Sequence, residues 1–287
     1  MDDLIAGGIR PPSAAGFFYP SSPSRLSAVV RDYLQDERSP FEAPKAIVAP
    51  HAGYDYSGST AGVAYSTLLG QDLDVAIVLA PSHLEAFRGA TIFPGVAYRT
   101  PLGDCSVAAD FAAHMLSAAA GSVRASLEGH WIEGDPRQEH SLEVQLPFLQ
   151  TVMEGPPHIV PLVIGEQTWE TLSALARAVA GAIRKLSSPE RAVIVASSDL
   201  SHFHVDSRAE ELDNRTLKLI EAFDARTLLT EITAGKVEAC GGGPVVVAML
   251  AAQAMGATEA TVLSYTHSGR VMGDNRSVVG YGAVRID

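Results

Sequence analysis

The stretch Arg191-Ala192-Val193-Ile194-Val195-Ala196-Ser197-Ser198-Asp199-Leu200-Ser201-His202 changes character at its midpoint. Its first half is almost wholly apolar and rich in β-branched residues. A strand with one wet face would alternate, so this run reads as a strand covered on both faces. The second half turns abruptly polar and ends in a histidine. The same break recurs upstream, where Lys45–Pro50 runs into His51 and Asp74–Pro81 runs into His83. Ile159–Ile164 and Thr261–Tyr265 read as further buried strands, and Val278–Ile286, which alternates and carries glycines, as an edge or terminal strand. Between them lie Ala/Leu-rich amphipathic stretches, predicted as helices over Gly58–Leu69, Val107–Ala119, Ser141–Val152, Trp169–Leu186, Ser207–Phe223 and Val245–Met255. Ser57 and Thr168 are the expected N-caps of the first and fourth, and Pro244 occupies a first-turn position. Strand–helix alternation of this kind predicts an α/β fold: a single domain spanning 1–287, with a central, mainly parallel sheet flanked by helices.

Composition narrows the function. The 287 residues are 47% hydrophobic and carry a net charge of −12, which suits one sizeable core and gives no basic stripe for a nucleic-acid partner. No apolar run is long enough to cross a bilayer, and the start Met-Asp-Asp lacks a secretory pattern, so no membrane partner is expected. Two cysteines, Cys105 and Cys240, cannot build a disulfide framework, which points to a reducing, cytoplasmic setting.

If the three His-terminated strands are parallel, their loops share the carboxyl edge of the sheet, where open α/β folds place ligands. A lone histidine at a strand end is ordinarily a hydrogen-bonded loop residue. Recurrence in equivalent Pro-(Ser)-His settings instead suggests a shared rim of imidazoles suited to a transition metal or acid–base catalysis. His114, His130, His158, His204 and His267 lack that setting and read as surface or structural residues. Cys240, before Gly241-Gly242-Gly243-Pro244, precedes a helix start where the dipole favours a thiolate; a small buried side chain is its alternative reading. The glycine loop itself can bind an anion through its amides or serve only as a turn. In Glu139-His140-Ser141-Leu142-Glu143, His140 and Glu143 stand one turn apart if a helix begins there, and a capped helix start explains the same pattern. Cys105 reads as structural.

Taken together, Ala15-Gly16-Phe17-Phe18-Tyr19-Pro20, Ala49-Pro50-His51-Ala52-Gly53-Tyr54, Leu79-Ala80-Pro81-Ser82-His83, Glu139-His140-Ser141-Leu142-Glu143, Ser197-Ser198-Asp199-Leu200-Ser201-His202 and Cys240-Gly241 resemble the Memo family, also called AmmeMemoRadiSam system protein B. The resemblance runs over almost the whole chain. It implies a fold like that of class III extradiol dioxygenases, with non-haem iron at one edge of the sheet. His51 and His83 match the two metal-binding histidines, and Cys240 stands where the dioxygenases place a carboxylate ligand. His202 matches their acid–base histidine, and His140, with Asp199 nearby, matches their Asp/Glu-His active-site segment. The resemblance thus implies a metal-dependent redox enzyme acting on a small-molecule substrate, with His140 and Asp199 positioning that substrate. A thiolate third ligand is softer than a carboxylate and admits copper or zinc beside iron. The alternative is a non-catalytic metal-binding or peptide-binding module. Eukaryotic members are described as phosphotyrosine-peptide effectors, with a tryptophan where this chain has Phe18. The family's prokaryotic name implies a functional link to radical SAM proteins.

Overall fold

The computed structural model describes residues 8–34, 42–119 and 121–287. Along the chain run β1 (Ile9–Arg10), α1 (Pro23–Tyr33), β2 (Ala46–Ala49), α2 (Tyr54–Ser66), β3 (Val75–Pro81), β4 (Ala90–Ile92), β5 (Ala97–Thr100), β6 (Gly103–Val107), α3 (Ala109–Ala118) and β7 (Val123–Ala125). There follow α4 (Leu146–Val152), β8 (His158–Ile164), α5 (Trp169–Ile183), β9 (Ala192–Ser197), β10 (His202–His204), α6 (Asp206–Glu221), α7 (Ala225–Thr233), α8 (Gly242–Ala254), β11 (Ala260–His267), α9 (Ser268–Met272) and β12 (Val278–Ile286).

The strands join in one sheet whose centre, in the order β6-β8-β3-β9-β2, is parallel throughout. Alternate residues of these strands feed two cores. Val48, Ile77, Leu79, Leu162 and Ile194 pack under α3, α5, α7 and α8 on one face. Ile47, Ala76, Val78, Val163 and Val195 pack under α1, α2 and α4 on the other. Double coverage is why the strands read as unbroken apolar runs. Helix α8 is buried almost all round, which explains its Val/Ala/Met composition without recourse to a bilayer. No helix among the described residues is long and apolar enough to cross a membrane.

The flanks depart from the parallel expectation: β12 runs antiparallel to β2, β10 and β11, and β5 antiparallel to β6. Val278–Ile286 is therefore an internal strand, not an edge, because β2 and β11 both pair with its residues 284–286 and so flank it on opposite sides. Val107, expected to open the helix Val107–Ala119, instead ends the strand Gly103–Val107, where it and Ser106 pair with β8, and the helix starts at Ala109. Helix α2 begins at Tyr54, capped by Gly53, so Ser57 is no cap; its hydroxyl donates to the Ala52 carbonyl at 3.0 Å. Thr168 is the cap of α5, its hydroxyl accepting from the Thr171 N–H at 3.3 Å. The helix predicted over Ser141–Val152 is regular only from Leu146, after a 3-10 turn at Glu143–Gln145.

Candidate functional site

β3, β9 and β2 are adjacent and parallel, so their carboxyl ends open onto one place. His51, His83 and Asp199 each lie two residues beyond the last residue of their strand. The donor atoms of His51, His83 and Cys240 all lie within 4.8 Å of one another, and Cys240 Sγ is 3.2 Å from His51 Nε2. The His140 ring stands 5.3 Å from that of His83 and 5.7 Å from that of His51, and Phe18 stacks on His140 at 4.0 Å. His202 and Cys240 line a cavity of about 280 Å³ together with Leu200 and Glu238. All six residues expected from the sequence thus gather at one sheet edge.

Hydrogen bonding decides which nitrogen of each imidazole carries its proton. Ser197 Oγ donates its one hydrogen to the Ser141 carbonyl at 2.6 Å, so toward His51 Nδ1, 2.9 Å away, it can only accept. His83 Nδ1 faces the Glu139 carboxylate at 3.0 Å, and His202 Nδ1 faces the Leu200 carbonyl at 2.9 Å. Each partner is an acceptor, so each ring holds hydrogen on Nδ1 and, in its neutral form, leaves Nε2 as a lone pair. The Nε2 of His51 is the nitrogen that faces the thiol of Cys240.

Burial works against charge on His51, His140 and His202, but does not prevail at His83. It is the main cause that holds His51 well below the ordinary histidine range, reinforced by the neighbouring His140 and His83. Burial likewise lowers His140 to about 4 and depresses His202. For His83 burial acts downward too, but the hydrogen bond and charge of Glu139 prevail and raise it. Burial pushes Asp199 up to about 7 against the N–H groups of His51 and Ala52, and it pushes the Cys240 thiol up, aided by Asp199. Burial and Asp199 thus work against the thiolate expected at the start of α8, while the N–H groups of Asp199 and Gly241 work for it.

Imidazole nitrogens and a half-buried thiol are the donor types of a transition-metal site. Bonds of roughly 2.0–2.3 Å in tetrahedral directions place donors roughly 3.3–3.7 Å apart, comparable to the Cys240–His51 contact. The residues fit a metal ion.

The glycines before α8 serve close packing. A Cβ on Gly241 would lie 2.1 Å from the Ser197 carbonyl oxygen, and one on Gly243 would meet the Gln167 side chain at 2.9 Å. The amides are already used: Gly241 N–H donates to Ser198 Oγ at 3.0 Å, Gly242 N–H to the Ala239 carbonyl, and Gly243 N–H to Gln167 Oε1 at 2.7 Å. The anion-binding alternative for this loop is thereby removed. Asp199 does not reach freely into the cavity either; Oδ1 accepts the His51 N–H at 2.8 Å, and its own N–H points to Cys240 Sγ at 3.3 Å.

His140 and Glu143 do not share a helix face, because the regular helix starts beyond both; Glu143 instead binds Arg10, Ser13, Ala14 and Tyr19. Of the remaining histidines, His130 is buried and bonded to Tyr98, and His204 pairs with Glu238 at 2.8 Å. Sequence reasoning missed Ser197, Gln167, Glu238 and Glu139 as partners of the site. Only Glu139 carried a signal, its place directly before His140.

An α/β sheet with two histidines and a cysteine converging at its carboxyl edge defines the class of protein. The chain belongs to the Memo family, whose model, described as Memo-like protein, matches residues 10–285. It is 36% identical to a MEMO1 family protein of Aeropyrum pernix, the alignment covering 97% of this chain and 99% of the relative. Identity is 34% with one of Methanobrevibacter smithii, over 96% of this chain and 98% of the relative, and 32% with one of Nitrosopumilus maritimus, over 96% and 99%.

Proposed function

We propose that this Memo-family protein is a metal-dependent redox enzyme of the kind its resemblance to class III extradiol dioxygenases implies, acting on a small-molecule substrate. His51, His83 and Cys240 would hold the ion, iron in the first instance with copper or zinc as alternatives. The reading is carried by one observation: the imidazoles of buried His51 and of the more open His83, each with an acceptor at Nδ1, gather with the thiol of Cys240 so that their donor atoms lie within 4.8 Å of one another. Bound there, a transition metal supplies redox and Lewis-acid chemistry at positions that three protein ligands leave open. His202, whose Nδ1 is tied to the Leu200 carbonyl, has Nε2 free to accept a proton from substrate and return it. His140, flanked by Phe18 and His83, orients substrate with its ring nitrogens. Asp199 acts on the backbone of the His51 loop and beside Cys240, which supports a part in shaping the pocket.

A second reading, a metal-binding module without turnover, is favoured by the thiol itself, a soft and oxidisable donor in place of a carboxylate. The test is anaerobic reconstitution with iron, copper or zinc, followed by metal analysis and oxygen uptake with catechol-like compounds. Cys240→Ser and His51→Ala should each lower bound metal; equal metal in both variants and wild type overturns the site. His202→Ala should keep its metal and lose roughly 10²–10⁴ in rate, the usual contribution of a general acid–base. Metal bound with no compound consumed favours the module.

A further inference from the structure

Glu139 is buried, and its carboxylate lies against both His83 and His140, with His140 Nδ1 3.8 Å from Oε1. Its Oε1 accepts from His83 Nδ1, the His140 N–H and the Ser141 N–H, each at 3.0 Å, and its Oε2 accepts from the His83 N–H at 2.6 Å. Both oxygens are thus committed to N–H donors. A carboxylate so occupied makes a poor metal ligand, although Glu139, His83 and His140 also cluster within 4.8 Å. Its backbone is anchored from behind, where Arg10 Nη2 donates to the Glu139 carbonyl at 2.6 Å.

We propose that Glu139 is a positioning residue of the metal centre, holding His83 by both its backbone N–H and its ring Nδ1–H so that the Nε2 lone pair is presented beside His51 and Cys240. The proposal rests on the reading of His51, His83 and Cys240 as that centre. A carboxylate bonded to the outer nitrogen of a metal-binding imidazole selects the tautomer, orients the ring and raises its donor strength. His51 has a different support, the neutral hydroxyl of Ser197. The two rings are therefore held by partners of different charge, and removing Glu139 should affect His83 while leaving His51 as an internal reference.

The experiment uses metal-free, full-length protein with ¹⁵N-labelled histidine, in which long-range proton–nitrogen correlation spectra distinguish protonated from bare ring nitrogens. His83→Ala and His51→Ala assign the two rings. In wild type both carry hydrogen on Nδ1. In Glu139→Ala, His83 should populate the Nε2-protonated form while His51 is unchanged, and zinc, titrated alone, should bind 10–100-fold more weakly. If that variant fails to fold, Glu139→Gln keeps the volume but offers one acceptor oxygen to four N–H groups, and the same loss of zinc affinity is expected. His83 remaining wholly Nδ1-protonated in folded Glu139→Ala, or zinc affinity within about twofold of wild type in either folded variant, overturns the proposal. Failure of the underlying site looks different: His51→Ala and Cys240→Ser would then bind zinc as wild type does.

Discussion

Glu143 lies buried against Arg10, the two joined by a 2.5 Å ion pair, with Ser13, Ala14 and Tyr19 supplying four further hydrogen bonds. Burial alone would raise this carboxyl, but the Arg10 charge and these bonds hold it below the usual range. Because the folded value is depressed, ionised Glu143 adds stability above its unfolded pKa of about 4.3, and that stability is lost as pH falls through the folded value. Glu143→Gln strands Arg10 without its charge partner and should cost about 3–5 kcal/mol at pH 7, measured by urea denaturation. The gap between variant and wild type should narrow steadily below about pH 4. A gap that stays constant from pH 7 to pH 3 would mean that the pair does not carry the effect. Neither residue was singled out as this pair from sequence, since Arg10 and Glu143 are 133 positions apart and no periodicity links them.

The turn into α8 depends on Gly241. Gly241→Ala would drive a methyl group into the Ser197 carbonyl, so helix and strand must separate and Cys240 must move from His51. The expected cost is about 1–3 kcal/mol of overpacking, seen in the thermal midpoint, with reduced zinc uptake in the folded fraction. Unchanged zinc uptake would show that the close approach of α8 to β9 is not what places the thiol. At the other side of the pocket, β10 pairs with β12 across a register shift between His202 and His204. Phe203 sits in that shift at φ 63°, a residue 74% exposed. A left-handed conformation costs a non-glycine residue about 1–2 kcal/mol, and glycine returns about 0.5–1 of that through the unfolded chain. Phe203→Gly should therefore raise stability by up to about 1 kcal/mol. A loss of similar size would mean that the ring's edge contact with His202 outweighs the strain. The elements that were legible here are the apolar ones: β9 and α8 announce themselves by composition, whereas the three-residue β10 has too little pattern to be read.

Across the whole molecule, the site collects segments near residues 51, 83, 140, 199 and 240 at the ends of strands and helices that rest on two separate cores. An ion held by His51, His83 and Cys240 joins segments that unfolding separates, so it binds the native state preferentially. At a free metal concentration of 100 times Kd the gain is about 2.7 kcal/mol, which for a chain of this size corresponds to roughly 5 °C in Tm. Zinc or iron added anaerobically should raise Tm by that order, chelation should reverse it, and His51→Ala should not respond. A wild-type Tm indifferent to iron, copper and zinc counts against the centre.

What the sequence by itself determined is what depends on near neighbours along the chain. Unbroken apolar runs marked β2, β3, β8 and β9 because strands covered on both faces need no polar alternation, and the polar breaks after them marked the loops of His51, His83 and Asp199. Thr168 was readable as a cap because its bond to Thr171 is local. The motifs, in order, were enough to identify the Memo family. Tertiary structure alone decided the antiparallel flanks, since strand order depends on which elements cover which edge. It alone paired Cys240 with His51, 189 residues apart, and turned Glu139 and Ser197 toward the rings they hold. Those choices follow from the packing of α8 on β9 and from the order β3-β9-β2, and neither leaves a periodic trace in the chain.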